Sequence, residues 1–338
     1  MKKALITGIT GQDGAYLAHL LAKKKYEIVG LIRNNANPHQ LDRLKWIFNG
    51  QLPECLRLEY SDMTDAASVN RLVQDSKPDE IYNLAAQSHV GVSFKSPAST
   101  AHVNALGVLN ILEACRNVGA KFYQASTSEM FGKVQEVPQH EETNFYPRSP
   151  YGVAKLFGYW LTVNYRESYG LFGCNGILFN HESPIRGENF VTKKITKGLV
   201  DVKAGRQHIL QLGNLDSWRD WGHAADYVEA MYLMLQENEP DDYVVSTGKQ
   251  TSVRHFCEIA ANKLNLDLVW KGEGLDEIGW SNALKKPVIK INKQFYRPAE
   301  VDTLLGNSSK AQKILNWSPK HTLDDLVDEM IDYDLNNS

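Results

Sequence analysis

The chain has 338 residues, of which 43% are hydrophobic and 23% charged, and its net charge at pH 7 is −3. This composition is typical of globular proteins and excludes a mostly disordered chain, and the length predicts one large or two small domains. No segment forms a dense basic block, so the charge distribution gives no support to binding of nucleic acid or of a membrane surface.

No run of about 18 apolar residues occurs, so no transmembrane helix is predicted. The N-terminal apolar run ends at Thr7-Gly8, which is too early for a signal peptide and fits a first strand. The cysteines show no CxxC spacing and the ten histidines show no HExxH spacing. We therefore expect a cytoplasmic protein without a metal site.

Short apolar runs alternate with helical stretches through the first half of the chain. Strands are predicted, in chain order, at 4–7, 28–32, 56–60, 81–85 and 122–126. The predicted helices between and after them cover 13–24, 65–75, 101–118 and 150–168. This alternation predicts an α/β protein with a mostly parallel, doubly wound sheet of the Rossmann type.

The alternation stops after Asn180. Further strands are predicted at 176–179 and 243–245, and further helices near 224–235 and 252–264. Residues 265–320 are rich in Lys, Gly, Pro and Trp. We expect residues 1–180 to form the first domain, with later segments near 224–247 returning to it, and residues 181–338 to form mainly a smaller second domain.

A glycine-rich turn follows the first predicted strand. Gly8, Gly11 and Gly14 have a GxxGxxG spacing, which suits a tight turn, close approach to a pyrophosphate and close helix packing. The second predicted strand is followed by Arg33 and Asn34, without the carboxylate that often binds an NAD ribose. Since Arg33 can accept a 2′-phosphate, the pattern favours NADP over NAD.

Tyr151 and Lys155 are four residues apart, which places both on one face of a helix. Ser149 and Pro150 predict that this helix starts just before Tyr151. A lysine beside the phenol is expected to lower the pKa of Tyr151, giving a base that takes a hydroxyl proton while hydride leaves the same carbon.

Together these features resemble the extended short-chain dehydrogenase/reductase superfamily. Thr127 and Glu129 follow the fifth predicted strand and would point the same way if that strand continued. A carboxylate beside a sugar carbon alpha to a ketone can remove a C–H proton. Thr127 and Glu129 therefore indicate elimination rather than simple redox chemistry.

Longer segments resemble the GDP-mannose 4,6-dehydratase family. They run from residue 7 to residue 302 and read TGITGQDG, YNLAAQSHV, FYQASTSE, FYPRSPYG, NGILFNHESP, RDWGHAADYVEAM and YRPAEVD. The resemblance implies a modified Rossmann domain that binds NADP, a C-terminal domain that binds a GDP-sugar, and a homodimer or homotetramer. It also implies catalytic roles for Thr127, Glu129, Tyr151 and Lys155.

The remaining site residues are matched to family motifs or placed at strand ends. The residues expected at the cofactor are Gly8, Thr10, Gly11, Gln12, Asp13, Gly14, Arg33, Asp62, Met63, Leu84, Ala86, Ser88, Lys155, His181 and Arg186. The residues expected at the GDP-sugar are Ser88, Asn180, Asn189, Val191, Lys194, Arg219, Arg297 and Glu300. Arg219 and Arg297 suit the diphosphate because guanidinium groups donate paired hydrogen bonds to phosphate.

Three positions depart from the family pattern. Asn34 stands where a second arginine is common after strand two, Ile185 precedes Arg186 where Arg-Arg is common, and Ser99 replaces an aromatic residue. These changes bear on cofactor binding and assembly more than on the chemistry.

Other functions remain compatible with parts of the pattern. GDP-manno-heptose is an alternative substrate, because one added hydroxymethyl group changes few contacts. A GDP-sugar epimerase or 4-reductase would keep Tyr151 and Lys155 but would not need Glu129. A Rossmann-like NADP-binding module without catalysis would not need the tyrosine–lysine pair.

Overall fold

The computed structural model describes residues 1–34, 37–297 and 299–337; position 298 of the YRPAEVD motif lies outside them. The strands are β1 (Lys3–Thr7), β2 (Glu27–Ile32), β3 (Leu56–Tyr60), β4 (Glu80–Asn83), β5 (Lys121–Thr127), β6 (Gly173–Leu178), β7 (Asn180–Glu182), β8 (Leu210–Leu212), β9 (Trp218–Arg219), β10 (Trp221–His223), β11 (Asp242–Val245), β12 (Thr251–Ser252), β13 (Leu268–Lys271), β14 (Ile278–Ser281) and β15 (Lys286–Ile291). The helices are α1 (Gln12–Lys23), α2 (Asp42–Ile47), α3 (Ala66–Ser76), α4 (Val90–Lys95), α5 (Pro97–Ala101), α6 (Gly107–Val118), α7 (Pro150–Tyr169), α8 (Val191–Lys203), α9 (Ala224–Met234), α10 (Val253–Lys263), α11 (Ser309–Leu315) and α12 (Leu323–Asn336).

Seven parallel strands form the large sheet in the order β11-β6-β5-β4-β1-β2-β3. The order reverses between β1 and β4, which pair directly from Ala4 opposite Glu80 to Thr7 opposite Asn83. In an open α/β sheet the ligand crevice lies beyond the carboxyl ends of the strands at such a reversal. The α/β, mostly parallel fold predicted from the sequence is confirmed.

Apolar side chains cover both faces of this sheet. On one face α1 packs against α9 through residues such as Leu17, Leu21 and Met231, all fully buried. On the other face α3 and α6 pack together, with Val73 and Ile111 fully buried. The two helix layers exclude water from the strands, so the polar groups at the carboxyl edge are held on a rigid base.

A second, four-stranded sheet has the order β13-β14-β15-β8. Its core contains α8, α10 and α12 side chains, including the fully buried Leu199, Phe256 and Val327. The sequence analysis predicted α10 but none of these four strands. They have only three to six residues each, and half-buried strands of that length leave a weak periodic signal.

Several predicted boundaries are wrong by a few residues. Strand β4 ends at Asn83 rather than at 85, and β6 begins at Gly173 rather than at 176. The helix predicted over 101–118 is divided by a π-helical turn at His102–Leu106, so α6 begins only at Gly107. Of the helices in the described part of the chain, none combines the length and hydropathy needed to span a bilayer.

Candidate functional site

The glycine-rich turn joins β1 to α1 at the carboxyl edge of the large sheet. Gly8 has φ +69, and a Cβ there would lie 2.8 Å from the Ala85 nitrogen. A Cβ at Gly14 would lie 2.4 Å from the Gly8 oxygen. Gly11 is the N-cap of α1, with no side-chain hydrogen bond to the first turn. The tight turn and the helix N-terminus without a side-chain cap fit the phosphates of a dinucleotide.

Asp13 and His181 link this turn to β7. Nε2 of His181 lies 3.0 Å from Oδ2 of Asp13, and Nδ1 lies 2.8 Å from the Phe179 oxygen. Both ring nitrogens therefore face acceptors, which suits the protonated imidazolium. Burial lowers the pKa of His181, but Asp13 outweighs burial and the net pKa is raised. Burial likewise raises the pKa of Asp13, but the charge and hydrogen bond of His181 bring it down to about 2.

Gln12 makes a second link between the same elements. Its Nε2 donates to the His181 oxygen at 3.1 Å, and its Oε1 accepts from Ser183 at 2.8 Å. The His181 ring also stacks on Tyr227, with centroids 4.5 Å apart. These contacts place Gln12, Asp13 and His181 in one network beside the turn.

The other residues expected at the cofactor occupy loops after β2, β3 and β4. Arg33 is exposed at the end of β2, and its charge adds to the hydrogen bonds of Thr64 in lowering the pKa of Asp62. Met63 is buried, and its oxygen accepts from Asn110. Leu84, Ala86 and Ser88 lie after β4; the first two are half-buried and Ser88 is exposed. Thr10 lies within the turn, and Arg186 pairs with Glu182 at 2.8 Å.

Thr127 and Glu129 do not lie on one continued strand, so that prediction is wrong. Strand β5 ends at Thr127, and Glu129 lies in a 3-10 turn over Ser128–Met130. The Thr127 hydroxyl caps this turn by accepting from the Glu129 nitrogen at 3.3 Å. Both residues are buried: Thr127 is 8% exposed and Glu129 is 7% exposed. The turn, not strand periodicity, holds Glu129 beside the end of β5.

Tyr151 and Lys155 are both buried on α7, whose start is specified locally as predicted. The Ser149 hydroxyl accepts from the Gly152 nitrogen at 3.0 Å, and Pro150 is the first helical residue. Tyr151 interacts with Thr127 through a side-chain hydrogen bond, and the charge of Glu129 also acts on it. The structure therefore brings the four residues expected to be catalytic to the junction of β5 and α7.

The predicted lowering of the Tyr151 pKa is wrong for this structure. Burial raises the pKa of Tyr151 to about 12, and the hydrogen bond with Thr127 offsets only part of that effect. Burial lowers the pKa of Lys155 to about 8, and its Nζ donates to the Ala125 oxygen at 2.6 Å. The reason is that desolvation disfavours both charged forms more than their neighbours stabilise them.

A buried polar chain, absent from the sequence analysis, connects the turn to Lys155. The Thr7 hydroxyl donates to Asn83 at 2.6 Å, and Asn83 donates to Gln124 at 2.8 Å. Gln124 donates to the Ala125 oxygen at 3.0 Å, the same oxygen that accepts from Lys155. The only sequence signal was a polar residue in each of three strands, at the carboxyl ends of β1 and β4 and in the middle of β5. Such connected networks fix the positions of their members.

Two arginines and two carboxylates, one of which is Glu129, form a charged cluster. Arg297 Nη1 lies 3.4 Å from Glu129 Oε1 and 3.6 Å from Glu300 Oε1. Arg219 Nη2 lies 3.3 Å from the same Glu300 oxygen. Arg219 is 95% buried, and burial lowers its pKa. The residues expected at the diphosphate are thus next to the residue expected to move protons.

The remaining residues expected at the GDP-sugar lie along β7 and the start of α8. Asn180 begins β7, and its Oδ1 is buried without a hydrogen-bond partner among the described residues. Asn189 is exposed, and its oxygen faces His89 Nε2 at 3.2 Å. Val191 is 38% exposed, and Lys194 Nζ lies 3.3 Å from the centroid of the Phe295 ring. Within the described residues, none of these four side chains is paired with the catalytic candidates.

Arg43 is a further cation at the turn that the sequence analysis did not identify. Its Nε donates to the Ile185 oxygen at 2.8 Å and its Nη1 to the Thr10 oxygen at 3.4 Å. No motif includes it, because it lies in α2, eleven residues after the end of β2. Within residues 1–34, 37–297 and 299–337, no group of three or more His, Cys, Asp or Glu is arranged to hold a metal ion.

Solved structures with low sequence identity share this fold. UDP-glucuronic acid 4-epimerase from Bacillus cereus, solved with UDP-glucuronic acid and NAD, has a TM-score of 0.83 at 22% identity, covering 99% of this chain and 100% of the relative. DesIV, the dTDP-glucose 4,6-dehydratase of Streptomyces venezuelae solved with NAD and TYD, also has a TM-score of 0.83. Its identity is 19%, and the match covers 99% of this chain and 97% of DesIV. At these identities the likeness concerns the fold alone.

Closer sequence relatives cover almost the whole chain. GDP-mannose 4,6-dehydratase from Vibrio cholerae is 51% identical over 350 residues, covering 99% of this chain and 94% of the relative. The Homo sapiens GDP-mannose 4,6 dehydratase is 48% identical over 338 residues, covering 98% of this chain and 91% of the relative. The family described as GDP-mannose 4,6 dehydratase matches residues 5–330. The chain therefore belongs to the GDP-mannose 4,6-dehydratase family, as its motifs predicted.

Proposed function

We propose that this chain is a hydro-lyase that converts GDP-mannose to GDP-4-keto-6-deoxymannose and water, with NADP as its cofactor. The observation that carries the proposal is the buried group of Thr127, Glu129, Tyr151 and Lys155 in a chain 48% to 52% identical to GDP-mannose 4,6-dehydratases. A reductase or epimerase would have no use for the buried carboxylate of Glu129.

The cofactor proposal is supported by the glycine-rich turn, the N-terminus of α1 and the absence of a carboxylate immediately after β2. When bound, NADP would supply the carrier for the hydride that leaves C4 of the sugar and is added to C6. Residues Gly8 to Gly14 would hold its phosphates, and Arg33 would bind its 2′-phosphate. His181 and Lys155 would lie towards the nicotinamide end.

The protein's own residues would handle the protons. Tyr151 acts as the phenolate and removes the proton of the 4-hydroxyl, and the Thr127 hydroxyl stabilises that phenolate before the transfer. The 4-ketone makes the C5 proton acidic, and Glu129 removes it. Glu129 then donates a proton to the departing 6-hydroxyl, so that water leaves. One proton added to C5 balances the one that Tyr151 removed, which completes a reaction with no net oxidation.

The substrate is tested by mass spectrometry of GDP-mannose and GDP-manno-heptose, each incubated separately with the purified protein. Loss of one water from GDP-mannose supports the proposal. Loss of water from the heptose alone would keep the mechanism and change the substrate. No loss from either sugar, with NADP supplied, would contradict the dehydratase assignment.

We also propose that the protein forms a homodimer or homotetramer in the cytoplasm. An exposed apolar stripe on α7 supports self-association: Val153, Phe157 and Trp160 are 56%, 44% and 54% exposed at helical spacing. Light scattering of the wild type and of Trp160→Glu tests this proposal. A dimer or larger assembly that dissociates in the variant supports it, and a monomeric wild type contradicts it. The described cysteines are free thiols, as a reducing compartment would keep them.

A further inference from the structure

Arg43 joins the glycine-rich turn to the loop after β7. It lies in the first turn of α2, and its guanidinium donates to oxygens of Ile185 and Thr10, on two different segments. An arginine guanidinium has five N–H donors in a fixed plane. Two of them are used in these bonds, so donors remain for a ligand at the same place.

A second guanidinium lies next to Arg43. Burial lowers the pKa of Arg43, and the charge of Arg186 lowers it further, against the opposite effects of Tyr333, Asp42 and Glu188. Arg186 pairs with Glu182 at 2.8 Å, whereas no carboxylate in the described residues lies within 4.0 Å of the Arg43 guanidinium. Two cations share one close carboxylate, an arrangement that an anion would stabilise.

The position of Arg43 indicates which anion. Its segment follows β2, the strand whose carboxyl end faces the adenosine ribose in dinucleotide-binding folds. Gln40, in the same segment, donates to the Arg33 oxygen at 2.9 Å and so ties the start of α2 to the end of β2. The sequence has Asn34 and Ile185 at two positions where arginines are common in the family. The Arg43 guanidinium donates a hydrogen bond to the backbone oxygen of Ile185, one of these two residues.

We propose that Arg43 binds the adenosine 2′-phosphate of NADP and, with Arg33, sets the preference for NADP over NAD. Arg43 thereby supplies the guanidinium that Asn34 does not. This inference rests on the proposed cofactor, and it adds a specificity residue that lies outside the sequence motifs.

The experiment measures binding of 2′,5′-ADP and of 5′-AMP to the full-length protein by isothermal titration calorimetry. These two probes differ only in the 2′-phosphate. The variants are Arg43→Gln and Arg43→Lys, and the control is Lys45→Gln, an exposed lysine on the same helix. Thermal unfolding of each variant shows whether it is folded.

We expect Arg43→Gln to weaken 2′,5′-ADP binding by about 10- to 100-fold, as loss of a charge-assisted bond to phosphate does, and to change 5′-AMP binding less than about twofold. Arg43→Lys should lose less affinity for 2′,5′-ADP than Arg43→Gln, because lysine keeps the charge but not the planar donors. Lys45→Gln should leave the binding of both probes unchanged.

Two results would overturn the inference while leaving the cofactor proposal intact. One is a wild type that prefers 2′,5′-ADP together with an Arg43→Gln variant that keeps this preference. The other is an equal loss of both probes in Arg43→Gln and Arg43→Lys, which would assign Arg43 to the turn or to the 5′-phosphate. A wild type that binds both probes equally would instead contradict the NADP proposal and, with it, this inference.

Discussion

Arg297 Nη1 lies 3.4 Å from Oε1 of Glu129, so a residue expected at the substrate diphosphate touches the residue expected to move protons at C5 and C6. The same nitrogen lies 3.6 Å from Glu300, and Glu300 lies 3.3 Å from Arg219. An arriving diphosphate would compete with Glu129 and Glu300 for both guanidinium groups. Substrate binding and the freedom of Glu129 are therefore linked through Arg297.

Replacing Arg297 by glutamine should weaken binding of GDP by about tenfold or more, because a charge-assisted bond to phosphate is lost. Calorimetric titration with GDP measures this without turnover. Lys293→Gln, an exposed cation in the same segment, should leave GDP binding unchanged. Equal affinity of the wild type and Arg297→Gln would show that Arg297 does not bind the diphosphate.

Glu129→Gln should slow water loss by about 10²- to 10⁴-fold, because the variant cannot remove the C5 proton. The first oxidation should persist, since Tyr151 and Lys155 are unchanged. A borodeuteride quench would then label C4 of the ketone formed in a single turnover. Glu142→Gln, at an exposed carboxylate, is the matched control. Normal water loss by Glu129→Gln would exclude the proposed role of Glu129.

Tyr151→Phe should block the reaction one step earlier. The variant cannot take the 4-hydroxyl proton, so the rate should fall by about 10²- to 10⁴-fold, and the same quench should find no 4-ketone. Because the phenol oxygen alone is removed, binding of GDP should stay near the wild-type value. Tyr169→Phe, at the exposed end of the same helix, should retain full activity. A labelled C4 in Tyr151→Phe would assign the first proton transfer to another group.

Asp13→Asn should destabilise the protein in a defined pH window. The pKa of Asp13 falls from 3.8 to about 2 on folding, a difference worth about 2 kcal/mol. Because the folded value is the lower one, this stabilisation is complete above pH 3.8 and is lost as the pH falls towards 2. The raised pKa of His181 contributes stability below 6.5 that is lost as the pH rises through its folded value.

Urea unfolding of the wild type and Asp13→Asn between pH 3 and pH 8 measures this effect. The difference in unfolding free energy should be largest at about pH 5 to 6, where both partners are charged, and should shrink on each side. Asp332→Asn, at an exposed carboxylate of α12, should show no such maximum. A difference independent of pH would show that the Asp13–His181 charge pair does not contribute to stability.

Local chemistry determined what the sequence could predict. The start of α7 was predicted correctly because Ser149 and Pro150 act on the residues directly after them. The glycine-rich turn was predicted correctly because the backbone around Gly8 and Gly14 leaves no room for a Cβ at either position. Both features depend on a few adjacent residues, which is the range over which sequence patterns are informative.

Features made by distant segments could not be predicted in this way. The Lys155 contact with Ala125 spans 30 positions, and the Arg43 contact with Ile185 spans 142. The pKa of Tyr151 rises because of burial by the whole fold, an effect that the i, i+4 spacing alone could not show. The 3-10 turn at Glu129 is capped by the Thr127 hydroxyl and closed by a backbone hydrogen bond from Phe131 to Ser128. The assumption of strand periodicity did not include such a turn.

The central claim is that one hydride leaves C4 of the sugar and returns to C6 of the same molecule while Glu129 removes water. The most direct test incubates GDP-mannose carrying deuterium at C4 with the purified protein and locates the label by NMR and mass spectrometry. The account predicts that the deuterium is found at C6 of a product that has lost one water. Loss of the deuterium to solvent, or its retention at C4, would contradict it.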